Sequence, residues 1–486
     1  MGQQHEGRAG APPRRACSDG IPPRKVCVLQ LVVLFSVAGI LSASHNFSRA
    51  PSQTSRQLIN SPPPADALEL VTPSVLGASA SNKTTVKFWA ESRIGTDRGQ
   101  PSRACTGEHA PGALIALRDS GKEYCEGWIR CMHRKLDYAE TFCEVRDLVV
   151  DLHSFLRYLE GPRARAGDEP DSRDAYYITG DPPVGTFSSK HVCPFNASLE
   201  LFHKGSARDL RTGWGFFGGK DANCVVVNEP TVFLSKIYGK GNMWHSSEDL
   251  LHTFESSQLF DWRKGRDARL LILDAPKGIT AQNQVEPYFP VYEATFAPKH
   301  GYSAAWQYFE TLGNHTCVQF ERSYWQPHGG SSAFQRSVAE KSACINSPLI
   351  TAMVDTILDA VAPKPTQVQQ ERVTAIIRNV STVRSVQSPA WDAFLHSNLE
   401  DSSFEFVDFA TLSIVDQIKI ARASHKLIGL HGAALTHALW MQPESHLIEV
   451  DMGFRCHCYA NIASWVGIQY TMIAESQLGS FSISGS

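Results

Sequence analysis

One uninterrupted apolar run, Val26–Ala43 (VCVLQLVVLFSVAGILSA), stands apart from the shorter runs further along the chain. As a helix it reaches roughly 27 Å at 1.5 Å per residue, enough for a thin bilayer. Arg8, Arg14, Arg15, Arg24 and Lys25 precede it and Arg49 is the first basic side chain after it. That bias predicts a cytosolic N-terminus and a single-pass type II anchor in the Golgi or endoplasmic reticulum membrane, with everything beyond residue 43 lumenal. The alternative is a cleavable signal peptide ending among Leu41, Ser42, Ala43 and Ser44, which sends the rest of the chain to the same compartment.

Ser44 to Ser102 is rich in Ser, Thr, Pro and Ala and has no apolar period, as expected of a stem. Beyond it, CEVRDLVVDL and CVVVNEPTVFL read as strands and SSEDLLHTFESSQLF as a helix, and Leu270–Leu273 before Asp274 reads as a buried parallel strand. After Pro348 the alternation restarts. LITAMVDTILDAV predicts a helix, RVTAIIR a strand, LSIVDQIKIARA a helix, KLIGL a strand, and a further helix leads to the strand HLIEV. Strands alternating with helices predict an α/β fold on parallel sheets. Two such units predict two Rossmann-like lobes facing a cleft, where ligands lie at the carboxyl ends of the strands. The expected organisation is a cytosolic tail 1–25, an anchor 26–43, a stem 44–104, a first lobe 105–347 with a cysteine-rich start, and a second lobe 348–486.

A net charge of −3 offers no bulk attraction for nucleic acid, which is excluded as a partner. Ten of the 12 cysteines lie beyond the apolar run, and an even number in an oxidising lumen points to disulfides. Cys456-His457-Cys458 is the one metal-like cluster, and it lacks the second half that a zinc site needs. Asparagine sequons at Asn46, Asn82, Asn196, Asn314 and Asn379 agree with lumenal exposure.

The chemistry concentrates in KLIGLHGAALTHALWMQPESHLIEVD, residues 426–451. A buried strand ends in Gly429-Leu430-His431-Gly432-Ala433-Ala434 and a helix is expected to follow directly. Gly432 permits a sharp turn, and the N–H groups of Ala433 to Leu435 would carry the positive end of that helix outward, a geometry that suits a diphosphate. No D-x-D triplet occurs anywhere in the chain, and Glu449-Val450-Asp451 is the nearest approach to one.

This segment resembles glycosyltransferase family 61, in which a helix carrying glutamine and alanine precedes G-x-H-G-A-G-L-T-N and a strand closing on glutamate. Gln417, Ala423, Gly429, His431, Gly432, Ala433, Leu435, Thr436 and Glu449 match; Ala434 and His437 replace the usual glycine and asparagine. Asn242-Met243-Trp244-His245 with Asp249 resembles the family's N-x-x-H motif, and Arg372–Arg384 its strand ending in a basic residue. The resemblance implies a GT-B arrangement and an inverting transfer of xylose, arabinose or N-acetylglucosamine from a UDP-sugar to a glycan or glycoprotein. It also assigns provisional roles. Arg378, with Arg384 as substitute, and the His431-Gly432-Ala433 turn would stabilise the leaving diphosphate. His245, or Asp249, would be the general base. His431 would hold diphosphate or ribose, or brace the turn. Glu449 would meet the ribose hydroxyls or pair with Arg378. No cofactor or metal is expected beyond the sugar nucleotide. Two other readings stay open, an inactive glycan-binding protein of the same fold and a GT-B enzyme using another donor such as GDP-fucose.

Overall fold

The computed structural model describes residues 100–124, 127–134, 140–160, 163–165, 176–178, 187–189, 224–234, 242–262, 268–273, 275, 277, 288–327, 332–336, 338–362, 372–377, 388–453 and 456–481, all within one compact unit, Asn82–Ser486. The tail, the apolar run 26–43, the stem to residue 99, Cys125, Cys193, Arg378 and Arg384 lie outside the described residues. Among those described, no helix is long and apolar enough to cross a membrane.

Two large sheets form. Strands β1 (Lys122–Tyr124), β2 (Ile129–Arg134) and β3 (Glu140–Asp151) open the first. A separate antiparallel pair, β4 (Arg163–Arg165) and β5 (Tyr176–Ile178), comes next in the chain. The first sheet resumes with β6 (Phe187–Ser189), β7 (Cys224–Val227), β8 (Thr231–Leu234), β9 (Arg269–Ile272), β10 (Tyr302–Ala304) and β11 (Cys317–Trp325). The second holds β12 (Val373–Ile376), β13 (Phe404–Val407), β14 (Lys426–Leu430), β15 (His446–Asp451) and β16 (Gln469–Ala474).

The first sheet is mixed, where a parallel one was expected. Its main path runs β1-β2-β3-β11-β8-β9-β10. β1, β2, β3 and β11 pair antiparallel, whereas β11, β8, β9 and β10 pair parallel. The connection from β2 to β3 is too short for a crossover, so those strands must reverse direction. Nor is CVVVNEPTVFL a single strand. Pro230 lacks an N–H and breaks the ladder, so β7 and β8 lie end to end along β11.

The second sheet is parallel throughout, in the order β13-β12-β14-β15-β16. From β12 the chain steps outward to β13 and returns to β14, so its direction of travel switches between β12 and β14, which makes the gap at their carboxyl ends the predicted ligand crevice. β12 is buried along its whole length, and β14 and β15 at every position but one end. Helices must therefore cover both faces.

One apolar cluster fills the space between the sheets. It joins Trp244, Leu250 and Phe254 of the helix Met243–Phe260 and Tyr292 of the helix Phe289–Phe296 to Leu435, Trp440 and Trp465 beside the second sheet. Smaller clusters back the outer face of each sheet. The helix Met243–Phe260 is buried nearly all round even though Glu248, His252 and Glu255 lie on it. Such charges need partners, and Glu255 has Arg134 at 2.5 Å, which in turn reaches Glu108 at 3.2 Å.

Disulfides bind the elements further. Cys131–Cys143 joins facing positions of β2 and β3, Cys224–Cys317 joins β7 to β11, and Cys105–Cys344 ties the start of the fold to the chain just before the helix Pro348–Val361. Cys456 and Cys458 are bonded to each other.

Gly429 sits where β14 meets β12, facing Ile376 in register. A Cβ there would lie 3.2 Å from Leu435 Cδ2 and 3.3 Å from Ile376 Cβ. Gly429→Ala should therefore overpack the core and destabilise by about 1–3 kcal/mol, read as a lower urea midpoint with an unchanged far-ultraviolet spectrum.

Candidate functional site

At the carboxyl end of β14 the backbone passes through Gly432 with φ 155° and ψ 170°, a region open essentially to glycine alone. An α-helix was expected next. The chain instead makes an eight-residue 3₁₀ run, Ala433–Trp440, with every residue from Leu435 onward buried. Packing on the helix Met243–Phe260 and on Gly429 draws it tight, and Leu435 N–H donates back to the Gly432 carbonyl at 2.9 Å. Leu435 thus leaves the expected set of anion-facing amides, and the candidate donors narrow to the turn before it.

Three adjacent strands bring their side chains together at this edge. Glu449 of β15, only 1% exposed, accepts a hydrogen bond from His431 Nδ1 at the end of β14. Its other oxygen accepts from the Tyr470 hydroxyl of β16 at 2.7 Å. Burial, followed by the Glu449 charge, holds the Tyr470 phenol well above its usual range, so it stays a donor. The Glu449 carboxylate therefore pairs with His431 and Tyr470, and Arg378, an expected partner, lies outside the described residues.

The His431 side chain is 13% exposed, and its ring meets Tyr459 edge-on at 5.2 Å. Tyr459 also meets Trp244 at 5.9 Å, which brings the first turn of the helix Met243–Phe260 to the same place. That helix begins where the Asn242 side chain accepts from Trp244 N–H at 3.0 Å. The N-x-x-H segment and the glycine turn are therefore separated by one aromatic ring.

His245 and Asp249 differ in access. The His245 side chain is 28% exposed, and its Nδ1 contacts the buried Glu248 carboxylate at 2.9 Å. Asp249 is 6% exposed and faces inward, where its charge adds to the burial that raises the Tyr292 phenol. Of the two, His245 is the more accessible side chain. Glu248 escaped the sequence reading, although its i, i+3 spacing from His245 was a usable signal. Tyr470 escaped it as well.

His437, in the position of the motif's usual asparagine, has no exposed surface. Its Nε2 donates to Gln417 Oε1 at 2.6 Å and its ring stacks on Phe409 at 4.6 Å. Gln417 in turn donates to the carbonyls of Phe409 and Leu412. The departure from the motif is thus absorbed in the core beneath the turn. Arg378 follows β12 by two positions and lies outside the described residues. Among the described residues no group of His, Cys, Asp and Glu is arranged to hold a metal ion.

The parallel sheet, with a glycine turn and a carboxylate-held imidazole at its switch edge, makes this an α/β protein of the kind in which ligand sites lie at such edges. Residues 243–448 match the model of the family Glycosyltransferase 61. The chain is also similar to the EGF domain-specific O-linked N-acetylglucosamine transferase of Drosophila melanogaster, 26% identical over 251 residues that cover 51% of this chain and 45% of that protein. The chain therefore aligns with less than half the length of this relative.

Burial pushes the His437 imidazole from its ordinary 6.5 down to about 3, and burial with the nearby Arg336 and Arg134 pushes His109 down to about 4. The folded protein holds both neutral while the unfolded chain protonates near 6.5, so stability is full above that pH and is lost on acidification toward the folded values. From pH 7.5 to 5 each should cost about 2 kcal/mol. Thermal melts across this range should show a shallower acid slope for His437→Asn than for the wild type.

Proposed function

We propose that this chain is an inverting glycosyltransferase that moves xylose, arabinose or N-acetylglucosamine from a UDP-sugar to a glycan or glycoprotein in the secretory pathway. The single observation that carries this reading is the family match over 243–448, a segment that contains both His245 and the Gly432 turn. The name of the Drosophila melanogaster relative favours N-acetylglucosamine as the sugar and an EGF domain as the acceptor. We place the donor in the second lobe, at the crevice between β12 and β14, and the acceptor toward the first, in a GT-B-like arrangement. Residues 26–43 anchor the enzyme in the Golgi or endoplasmic reticulum membrane with its catalytic part lumenal.

In this mechanism the acceptor hydroxyl attacks the anomeric carbon as the carbon–oxygen bond to UDP breaks. His245, oriented by Glu248, takes the hydroxyl proton. Negative charge gathers on the departing diphosphate, where the turn at Gly432 and Ala433, His431 and Arg378 stabilise it. Glu449 serves by fixing His431, and Asp249 serves the buried polar face of its helix. The scheme draws on no metal, since fixed cationic and N–H groups take that place.

Purified full-length protein in detergent, offered a panel of UDP-sugars and an EGF-domain or glycan acceptor, should release UDP only when both substrates are present. Addition of EDTA should leave the rate unchanged. His245→Ala should lower kcat about 10²–10⁴-fold, Arg378→Ala should abolish transfer without loss of fold, and Asp249→Asn should act mainly through stability. Absence of both turnover and calorimetric binding across the panel would sink the proposal, and turnover with GDP-fucose alone would redirect it to another donor class.

A further inference from the structure

A carboxylate as enclosed as that of Glu449 is stable only if both its oxygens are hydrogen-bonded. One takes His431 Nδ1 and the other takes the Tyr470 hydroxyl at 2.7 Å, so the carboxylate is gripped from the strands on either side of its own. We infer that Tyr470 is a positioning residue of the donor site, holding Glu449 so that Glu449 in turn fixes the tautomer and ring plane of His431. This inference rests on the proposed placing of the donor beside His431.

The physical chain is short. An ionised carboxylate only accepts, so His431 carries its proton on Nδ1 and Nε2 is the basic nitrogen. A carboxylate held by one donor can swing about its last bond, whereas two donors on opposite sides stop the swing and hold the imidazole with it. Tyr470 lies beyond the matched segment, which ends at residue 448, and enters β16 opposite Leu447. Among the described residues, the titratable groups that meet the imidazole include Glu449 from β15 and Tyr459 from the helix Cys458–Val466. Tyr470 acts on it through the shared carboxylate, and burial with the charges of Glu449 and Asp451 keeps the phenol protonated. Taking away the hydroxyl leaves the carboxylate with one donor, free to swing, and the imidazole loses its fixed plane and tautomer with it.

The test uses the full-length protein in detergent as wild type, Tyr470→Phe and Glu449→Gln, with the histidine ring nitrogens followed by NMR and the His431 signals assigned by their loss in His431→Ala. In the wild type the His431 ring should hold one tautomer, protonated on Nδ1. Tyr470→Phe should shift those nitrogen signals toward the average of the two tautomers, and Glu449→Gln should shift them further. In transfer assays Tyr470→Phe should lower kcat about tenfold, the worth of one hydrogen bond, with the donor KM moved by less than about twofold. Added to His431→Ala, it should cost nothing further. Unmoved His431 nitrogen signals in Tyr470→Phe overturn the inference, as does an equal loss of kcat in the His431→Ala background. Should the wild type transfer no sugar at all, the proposed function falls on its own, and the NMR comparison still decides whether Tyr470 governs His431.

Discussion

β12, β14 and β15 are enclosed on both faces along nearly their whole length, and covering a parallel sheet on two sides is the requirement that organises everything around them. Every return from one strand to the next must cross a face, so the chain leaves each strand at the same edge. Polar groups that need solvent or a ligand have that edge as their outlet. His431, Gly432 and Glu449 gather there for this reason, and the Tyr470 hydroxyl reaches Glu449 from the amino end of β16. The 3₁₀ run obeys the same requirement from the inside. It must close over Gly429 and against the helix Met243–Phe260, and a glycine without a side chain at 429 is what lets it approach.

Both exposed histidines near this edge are held in one manner. His245 meets the enclosed carboxylate of Glu248 within its own helix, and His431 meets that of Glu449 across strands. In each case a carboxylate that would be unstable alone finds a donor, and an imidazole that would rotate freely in solvent gains an orientation. The ring of Tyr459, touching Trp244 on one side and His431 on the other, sets the spacing between the two.

The legibility of these features in the sequence varied with the distance over which their causes act. The strands KLIGL and HLIEV and the helix Pro348–Val361 were visible because burial and periodicity are local signals. Gly432 was visible because a glycine after a buried strand has few other uses. The mixed character of the first sheet was not, since the pairing of β3 with β11 joins segments more than 160 residues apart and no spacing announces it. The Glu449 partners were hidden for the same reason. Alternation along β15 placed the side chain at the edge, but only the neighbouring strands determine which groups it meets. Disulfide pairing is likewise undetermined by cysteine positions alone, and Cys105 proved to skip its near neighbours for Cys344.

The bridge from Cys105 to Cys344 spans 239 residues, and β11, at the heart of the first sheet, begins only at Cys317. A ribosome adding about 5–20 residues per second needs roughly 10–50 s between those two cysteines. Cys105 lacks its partner throughout that interval, and for most of it β3, once made, lacks a central neighbour. The first half of the chain thus waits, as an unfinished sheet edge, for the arrival of the second, and the order of synthesis places its central pairing last.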